Sequence, residues 1–157
     1  MRPFEEVVAE HGDVVFRVCR ALLGPDDAHD AWSETFLAAL RAYPDLAPGS
    51  NVRGWLVTIA HRKGIDRIRS NARTPRPTGE LPDPGVWDAP AEPDPDLGAA
   101  VQALPPKQRA AVVYRYLADL SYAEIGDLLD SNEAAARRSA ADGIATLRKR
   151  YAKGTQR

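Results

Sequence analysis

A proline-rich stretch in the middle of the chain limits what the sequence can fold into. Residues 74–96 contain seven of the thirteen prolines and six acidic side chains. Proline has no backbone N–H to donate and disrupts helix interiors and central strands, so this stretch is a poor candidate for a packed core. We interpret it as a linker between an N-terminal domain, residues 1–73, and a C-terminal domain, residues 97–157.

Both flanking regions are predicted to be helical. Their apolar residues recur every three or four positions, and no stretch shows the alternation of a half-buried strand. The predicted fold class is therefore all-α, with two small helical domains joined by the proline-rich linker. The expected N-terminal helices run from Phe4 to Gly24, from a cap at Asp26 or Asp27 to about Tyr43, and from Val52 to about Asn71.

Two N-terminal side chains with reactive groups have structural interpretations. Cys19 is the single cysteine and lies on an apolar face, so we expect a buried core thiol. His11 has no second His or Cys at metal spacing, so we expect it to be packed or partly exposed. The expected core positions of the second and third helices are Ala31, Phe36, Leu40, Trp55, Leu56, Ile59, Ile65 and Ile68.

The C-terminal part contains two predicted helices separated by a tight polar turn. Ser121 and Glu124 have the spacing of a capping box. A pair of this kind is typical of a helix-turn-helix, whose second helix enters the major groove of DNA, although a packed helical hairpin would show the same pattern. The first helix is predicted to end near Asp130, and the second, capped by Ser131 or Asn132, to run from Glu133 to about Tyr151.

Charge is unevenly distributed, although the formal net charge is only −1. Residues 1–51 carry four basic and nine acidic side chains, whereas residues 52–77 carry seven basic and one acidic. The basic third helix suits nucleic-acid phosphates, and the acidic second helix suits a different partner. Solvated helix faces without any partner would give the same segregation.

Several classes of function find no support in the sequence. It has no Gly-rich phosphate loop, no nucleophile elbow and no metal-ligand cluster, so we expect neither an enzyme nor a metal site nor a cofactor. No apolar run approaches the roughly 20 residues that cross a membrane, and Glu5 and Glu6 stand where a secretory signal would be basic and then apolar. We expect a cytoplasmic protein without membrane insertion.

Four blocks of the sequence together resemble bacterial RNA polymerase sigma factors of the extracytoplasmic-function (ECF) group of the sigma-70 family. They occur in the family's order and cover nearly the whole chain outside the linker. They read DAHDAWSETFLAAL at 27–40, VRGWLVTIAHRKGIDRIR at 52–69, LPPKQRAAVV at 104–113 and LSYAEIGDLL at 120–129.

The resemblance implies a sigma factor that binds core RNA polymerase, directs it to a promoter and helps to open the minus-ten element. Residues 1–73 would form a sigma-two domain and residues 97–157 a sigma-four domain, and an anti-sigma factor is implied as a further partner. The implied contacts are Asp27, Asp30 and Glu34 with core polymerase; Ser50, Asn51, Trp55, Arg62, Lys63 and Arg67 with minus-ten DNA; and Ser131, Asn132, Ala135, Arg137 and Arg138 with minus-thirty-five DNA.

Some of these roles compete with simpler interpretations. Trp55 could stack on a base, but its helical position favours the core, and Ser50 and Asn51 could be polar only because they lie in a loop. The recognition helix departs from the family, since Asp130 replaces the usual glycine and residues 131–144 hold only two basic side chains. A sigma-like DNA-binding regulator without initiation activity, and a protein that chiefly docks an anti-sigma factor, therefore stay as alternatives.

Overall fold

The computed structural model describes residues 2–73, 90–91 and 94–155, so most of the predicted linker, residues 74–96, lies outside the described residues. Within the described part the chain forms seven α-helices, one short 3-10 turn and no strand, which confirms the all-α prediction. The chain forms two compact units, residues 1–91 and residues 92–157. The helices are α1 (Phe4–Leu23), α2 (Pro25–Ala42), α3 (Val52–Arg73), α4 (Pro95–Gln102), α5 (Pro106–Tyr116), α6 (Tyr122–Leu128) and α7 (Glu133–Thr155).

The first unit is a three-helix arrangement in which α1, α2 and α3 all pack against one another. Its buried core joins residues from each helix, among them Val15, Ala31 and Leu56, each 0% exposed. The indole of Trp32 donates a hydrogen bond to the carbonyl of Gly12 at 2.9 Å, which ties α2 to α1. Cys19 is 2% exposed, and burial raises the pKa of its thiol to about 12, so the prediction of a core thiol is confirmed.

The start of α2 differs from the prediction. Pro25 is the first residue of α2 and Gly24 precedes it as the cap, with φ of 91° and no side-chain cap, so the assignment of the cap to Asp26 or Asp27 was wrong. Proline suits this position because its fixed φ is helical and its missing N–H would have had no partner in the helix. The two aspartates lie in the first turn, where the helix dipole favours negative charge.

Two predicted core residues are instead exposed. Leu40 on α2 is 51% exposed and Ile68 on α3 is 54% exposed. The inner face of α2 is formed by Ala28, Ala31, Thr35 and Ala39, each 0% exposed, and Leu40 lies one position further round the helix. Helical spacing is compatible with a core position for both residues. In a three-helix unit, however, only a narrow side of each helix is buried, and Leu40 and Ile68 lie outside it.

The described end of the predicted linker contacts the first unit. Arg20 on α1 is 8% exposed and lies 5.3 Å over the ring of Phe16. Its guanidinium donates to the carbonyl oxygen of Pro90, and to that of Ala91 at 3.5 Å. A buried guanidinium needs acceptors, and two backbone carbonyls from this segment supply them.

The second unit packs α4, α5 and α6 against the long helix α7. Leu104, Val112 and Leu147 form one buried cluster, with Val101 and Ile144 packed against it. Helix α4 was not predicted, because Pro95 and Asp96 were assigned to the linker. Pro95 is the first helical residue, and the carboxylate of Asp94 caps α4 by accepting a hydrogen bond from the N–H of Leu97 at 3.1 Å.

Within the described residues, no helix combines the length and apolarity needed to cross a membrane. In that same part of the chain, no group of three or more His, Cys, Asp and Glu side chains is placed to hold a metal ion.

Candidate functional site

One face of α2 carries three carboxylates that we call the acidic face: Asp27, Asp30 and Glu34. The three residues are spaced three and four positions apart and therefore project from the same side of the helix. The exposed fraction of their side chains rises along the helix, from 17% for Asp27 to 34% for Asp30 and 46% for Glu34. The acidic face thus leads from the α2–α3 contact out to solvent.

All three carboxylates of the acidic face are paired with one guanidinium, that of Arg67 on α3. Its Nε lies 3.1 Å from Asp27 Oδ1, its Nη2 2.5 Å from Asp30 Oδ2 and its Nη1 3.2 Å from Glu34 Oε1. The Arg67 side chain is only 15% exposed. Sequence reasoning grouped Arg67 with the DNA contacts, but the structure joins it to the predicted polymerase contacts instead.

Exposed apolar residues extend the acidic face along α2. Leu37 follows Glu34 by three positions and is 54% exposed, and Leu40 follows Leu37 by three and is 51% exposed. Sequence reasoning overlooked Leu37 and placed Leu40 in the core. The signal was available, since both continue the helical register of Asp30 and Glu34, and an exposed apolar pair beside charged residues is typical of a protein-binding surface.

The loop before α3 is ordered by its own polar side chains. The hydroxyl of Ser50 donates to the carbonyl of Ala47 at 2.6 Å, and Gly49 has φ of 81° in the same turn. The side-chain oxygen of Asn51 accepts a hydrogen bond from the N–H of Gly54 at 3.2 Å, as an N-terminal cap of α3 does. Ser50 and Asn51 therefore both have structural roles in this loop, and Asn51 remains exposed.

Trp55 packs against the core of the first unit rather than projecting fully into solvent. It is half-buried, and its ring centroid lies 6.4 Å from that of Tyr43. Further along α3, Arg62 is exposed and Lys63 is half-buried. Of the basic residues that were predicted to contact DNA from this helix, Arg62 is therefore the most accessible.

In the second unit, α6 and the start of α7 form the predicted helix-turn-helix. Both hydrogen bonds of the capping box are present, with Ser121 Oγ accepting from the N–H of Glu124 at 3.1 Å and Glu124 Oε1 accepting from the N–H of Ser121 at 3.1 Å. Gly126 lies against the backbone of Asn132, and a Cβ atom at position 126 would come within 2.6 Å of the Asn132 carbonyl carbon. Sequence reasoning missed Gly126, although a glycine inside a short helix is a common mark of close approach.

The turn between the two helices contains an unusual backbone conformation. Asp130 has φ of 53°, in the left-handed region, and the N–H of Ser131 donates to the carbonyl of Gly126 at 2.7 Å. These are features of a helix that ends on a left-handed residue, a position where glycine is preferred. Asp130 therefore adopts a backbone conformation that glycine would adopt more easily.

The predicted recognition residues at the start of α7 divide into capping, packed and exposed positions. Asn132 caps α7, with its side-chain oxygen accepting from the N–H of Ala135 at 2.9 Å. Ala135 is half-buried, whereas Ser131 and Arg138 are exposed. The caps position the helix, and the exposed residues are those that a DNA duplex would meet first.

Arg137 is exposed but is held in place by its neighbours. Its side chain is 60% exposed and pairs with Glu133 at 3.1 Å. Its guanidinium lies 4.6 Å over the ring of Tyr122, and the guanidinium of Arg115 lies 4.9 Å over the same ring. Tyr122 at the start of α6 thus connects the end of α5 with the second turn of α7, a contact that sequence spacing does not reveal.

Two family models match this chain, one in each unit. The model of sigma-70 region 2 covers residues 7–74, which include the acidic face and all of α3. The model of sigma-70 region 4 covers residues 96–147, which include the helix-turn-helix.

Named relatives and a solved structure agree with these matches. The ECF RNA polymerase sigma factor SigE of Mycolicibacterium smegmatis is 34% identical over 139 residues, which is 82% of this chain and 54% of that protein, so this chain spans about half of its length. The RNA polymerase sigma factor CarQ of Myxococcus xanthus is 31% identical over 159 residues, which is 92% of this chain and 87% of that protein. The sigma factor RpoE from Bartonella quintana, solved in complex with the anti-sigma factor NepR, matches the fold with a TM-score of 0.74 at 17% identity, over 93% of this chain and 94% of that one.

Both sigma-70 regions are present in order, and the similarity to CarQ extends over nearly its whole length. The chain therefore belongs to the ECF group of the sigma-70 family of RNA polymerase sigma factors.

Proposed function

We propose that this protein is an initiation factor that binds core RNA polymerase, directs it to promoters and helps to open the minus-ten element. The observation that carries the proposal is the combination of two different surfaces on one chain. The acidic face with Leu37 and Leu40 suits a protein partner, and the helix-turn-helix suits DNA. A DNA-binding regulator without initiation activity would need only the second of these surfaces.

The proposed polymerase-docking surface consists of the acidic face with Leu37 and Leu40. Its carboxylates complement a basic partner surface, and its exposed leucines supply apolar area that becomes buried on binding. Charge sets the orientation and speed of the encounter, while burial of leucine contributes affinity. This surface continues across Asp30, Glu34, Leu37 and Leu40 without a change of helix.

The proposed minus-ten site lies in the loop before α3 and on the exposed side of α3. Because Asn51 Oδ1 caps α3, the amide nitrogen of Asn51 is the group that the side chain would offer to a flipped base. Arg62 and Lys63 would hold the phosphates of the opened strand, and Trp55 would support the loop through its packing on Tyr43.

The proposed minus-thirty-five site is the start of α7. Arg137 and Arg138 would contact phosphates or base edges, with Asn132 and Ser131 presenting the first turn of the helix. Ala135, which is half-buried, offers only a methyl contact, so direct base reading would be sparse. We therefore expect a loose requirement for the minus-thirty-five sequence and a stricter one for the minus-ten sequence.

The proposed working partners are core polymerase and promoter DNA, and we therefore propose that the protein works in the cytoplasm, where bacterial transcription occurs. An anti-sigma factor stays a prediction of the family resemblance. Co-purification of the tagged full chain from its native cells, followed by identification of the bound proteins, would test for one. We expect neither a catalytic activity nor a cofactor for this chain.

A charge-reversal experiment tests the polymerase-docking surface. We expect the double variant Asp30→Lys/Glu34→Lys to lose at least about tenfold in affinity for core polymerase, since two favourable charge contacts become repulsive. The matched control is Glu5→Lys/Glu6→Lys, which reverses two exposed charges on α1, outside the proposed surface. Equal affinity of all three proteins for core polymerase would refute the proposed docking surface.

A further inference from the structure

We propose that Arg67 is a positioning residue for the polymerase-docking surface and not a contact to DNA. The guanidinium would hold the carboxylates of Asp27, Asp30 and Glu34 in the arrangement that a basic partner meets. The inference rests on the proposed function of α2, and it moves one basic residue of the third helix from the DNA interface to the protein interface.

The geometry uses the whole guanidinium. Each of its three nitrogens faces a different carboxylate, at 3.1 Å, 2.5 Å and 3.2 Å for Asp27, Asp30 and Glu34. The guanidinium is planar and rigid, so three contacts in different directions fix three side chains relative to one another. A lysine ammonium has no such fork and could not satisfy all three carboxylates in the same way.

Arg67 also offsets repulsion within the acidic face. Asp30 and Glu34 stand four positions apart on α2, where like charges repel each other. With three carboxylates around one guanidinium, the cluster still carries more negative than positive formal charge. The cation therefore holds the carboxylates in place while leaving the surface attractive to a basic partner.

The burial pattern places Arg67 beneath the docking surface. Arg67 and Asp27 are 15% and 17% exposed, whereas Asp30 and Glu34 are 34% and 46% exposed. A partner that approaches from solvent meets the outer carboxylates first. A DNA phosphate that approached Arg67 would meet the same carboxylates and would be repelled by them.

The rest of α3 offers better-placed cations for DNA. Arg62 and Arg69 are both exposed, and neither takes part in the Arg67 cluster. The basic residues of α3 thus lie on two different sides of the helix. Arg67 pairs with the carboxylates of α2, whereas Arg62 and Arg69 face solvent.

The test measures affinity for the cognate core polymerase with the full-length protein, labelled at its N-terminus. We expect Arg67→Gln to weaken binding about tenfold, because the carboxylates must then be ordered on binding rather than beforehand. Arg17→Gln is the control for loss of one positive charge, since Arg17 is exposed on α1 and has no assigned role, and we expect it to bind like the wild type.

A second arm separates positioning from DNA contact. At polymerase concentrations that saturate each variant, we expect Arg67→Gln to open promoter DNA as well as the wild type, and Arg62→Gln to open it less well. In an Asp30→Asn/Glu34→Gln background, Arg67→Gln should weaken polymerase binding by less than about threefold, since two of the carboxylates that Arg67 holds are then absent.

The possible outcomes distinguish the inference from the function on which it rests. If wild-type protein does not bind core polymerase at all, the proposed function fails. If wild type binds and Arg67→Gln binds equally well but opens DNA poorly, Arg67 is a DNA contact and the inference is overturned. Should Arg67→Gln fail to fold by circular dichroism, Arg67→Lys replaces it, and polymerase affinity equal to wild type in that variant would contradict the need for a guanidinium.

Discussion

At the scale of single residues, Asp130 holds a conformation that its side chain disfavours. Its φ of 53° lies in the left-handed region, at the position where a helix end prefers glycine. We expect Asp130→Gly to raise the free energy of unfolding of the C-terminal unit by roughly 0.5–1 kcal/mol, after the entropy cost of glycine is allowed for. Calorimetry of the full chain would measure the change. Asp127→Gly, inside α6, is the matched control and should lower stability, so a fall in both variants would contradict the assignment.

His11 gives the N-terminal unit a pH dependence. Burial lowers the pKa of its imidazole from the usual 6.5, Arg2 and Arg53 act in the same direction, and Glu10 opposes them. The unfolded chain therefore takes up the proton at a higher pH than the folded chain. We expect the contribution of His11 to the free energy of unfolding to be fully present above about pH 6.5 and to be lost as the pH falls below it. Urea denaturation of wild type and His11→Gln between about pH 5.5 and 7.5 would show a shallower slope in the variant, and identical slopes would contradict this role.

At the scale of helices, the contact between α6 and α7 depends on Gly126. A Cβ atom there would lie 2.6 Å from the backbone carbonyl carbon of Asn132 and 2.8 Å from its oxygen. Helix propensity alone predicts that Gly126→Ala stabilises the protein by about 1 kcal/mol. Because backbone atoms cannot move aside as a flexible side chain can, we expect a net loss of roughly 1–3 kcal/mol instead. Asp127→Ala at the next, exposed position is the control, and a stabilised Gly126→Ala would show that the helices are less tightly packed than described.

Local sequence patterns predicted several helix bounds correctly, but they did not predict every helix start. The bounds of α1 and α3 and the capping box at Ser121 follow from local periodicity and capping chemistry, and these predictions agree with the structure. The start of α2 and the presence of α4 were misjudged because proline at a helix start resembles proline in a linker. Proline is excluded from helix interiors but not from the first turn.

Only those parts of the candidate site that depend on residues close together in the sequence could be predicted. The acidic face follows from helical spacing, but its pairing with Arg67 joins residues at least 33 positions apart and has no local signal. The same limit explains why Leu40 and Ile68 were placed in the core. Period alone says that a helix has an apolar side, but tertiary packing decides how much of that side is covered.

At the scale of the whole molecule, the proposed polymerase-docking surface and the proposed minus-thirty-five site lie in separate units, so variants in the two should affect initiation in different ways. A defect in the acidic face should lower initiation at every promoter, because it acts before any promoter is chosen. Arg138→Ala should instead change the relative use of promoters, with a cost of roughly 1–3 kcal/mol at those where this residue reads a base. Sequencing of transcripts from a mixed promoter pool would separate the two patterns, and a uniform loss with Arg138→Ala would assign that residue to phosphate contact alone.

Transcription by core polymerase from a fragmented genomic library, with and without this protein and with RNA start sites mapped, tests directly whether the protein initiates transcription. If it does, new starts should appear that share an upstream minus-ten motif and depend on Asp30 and Glu34. If the protein binds core polymerase but produces no new starts, it is not an initiation factor, and a regulator or docking protein would be the better description.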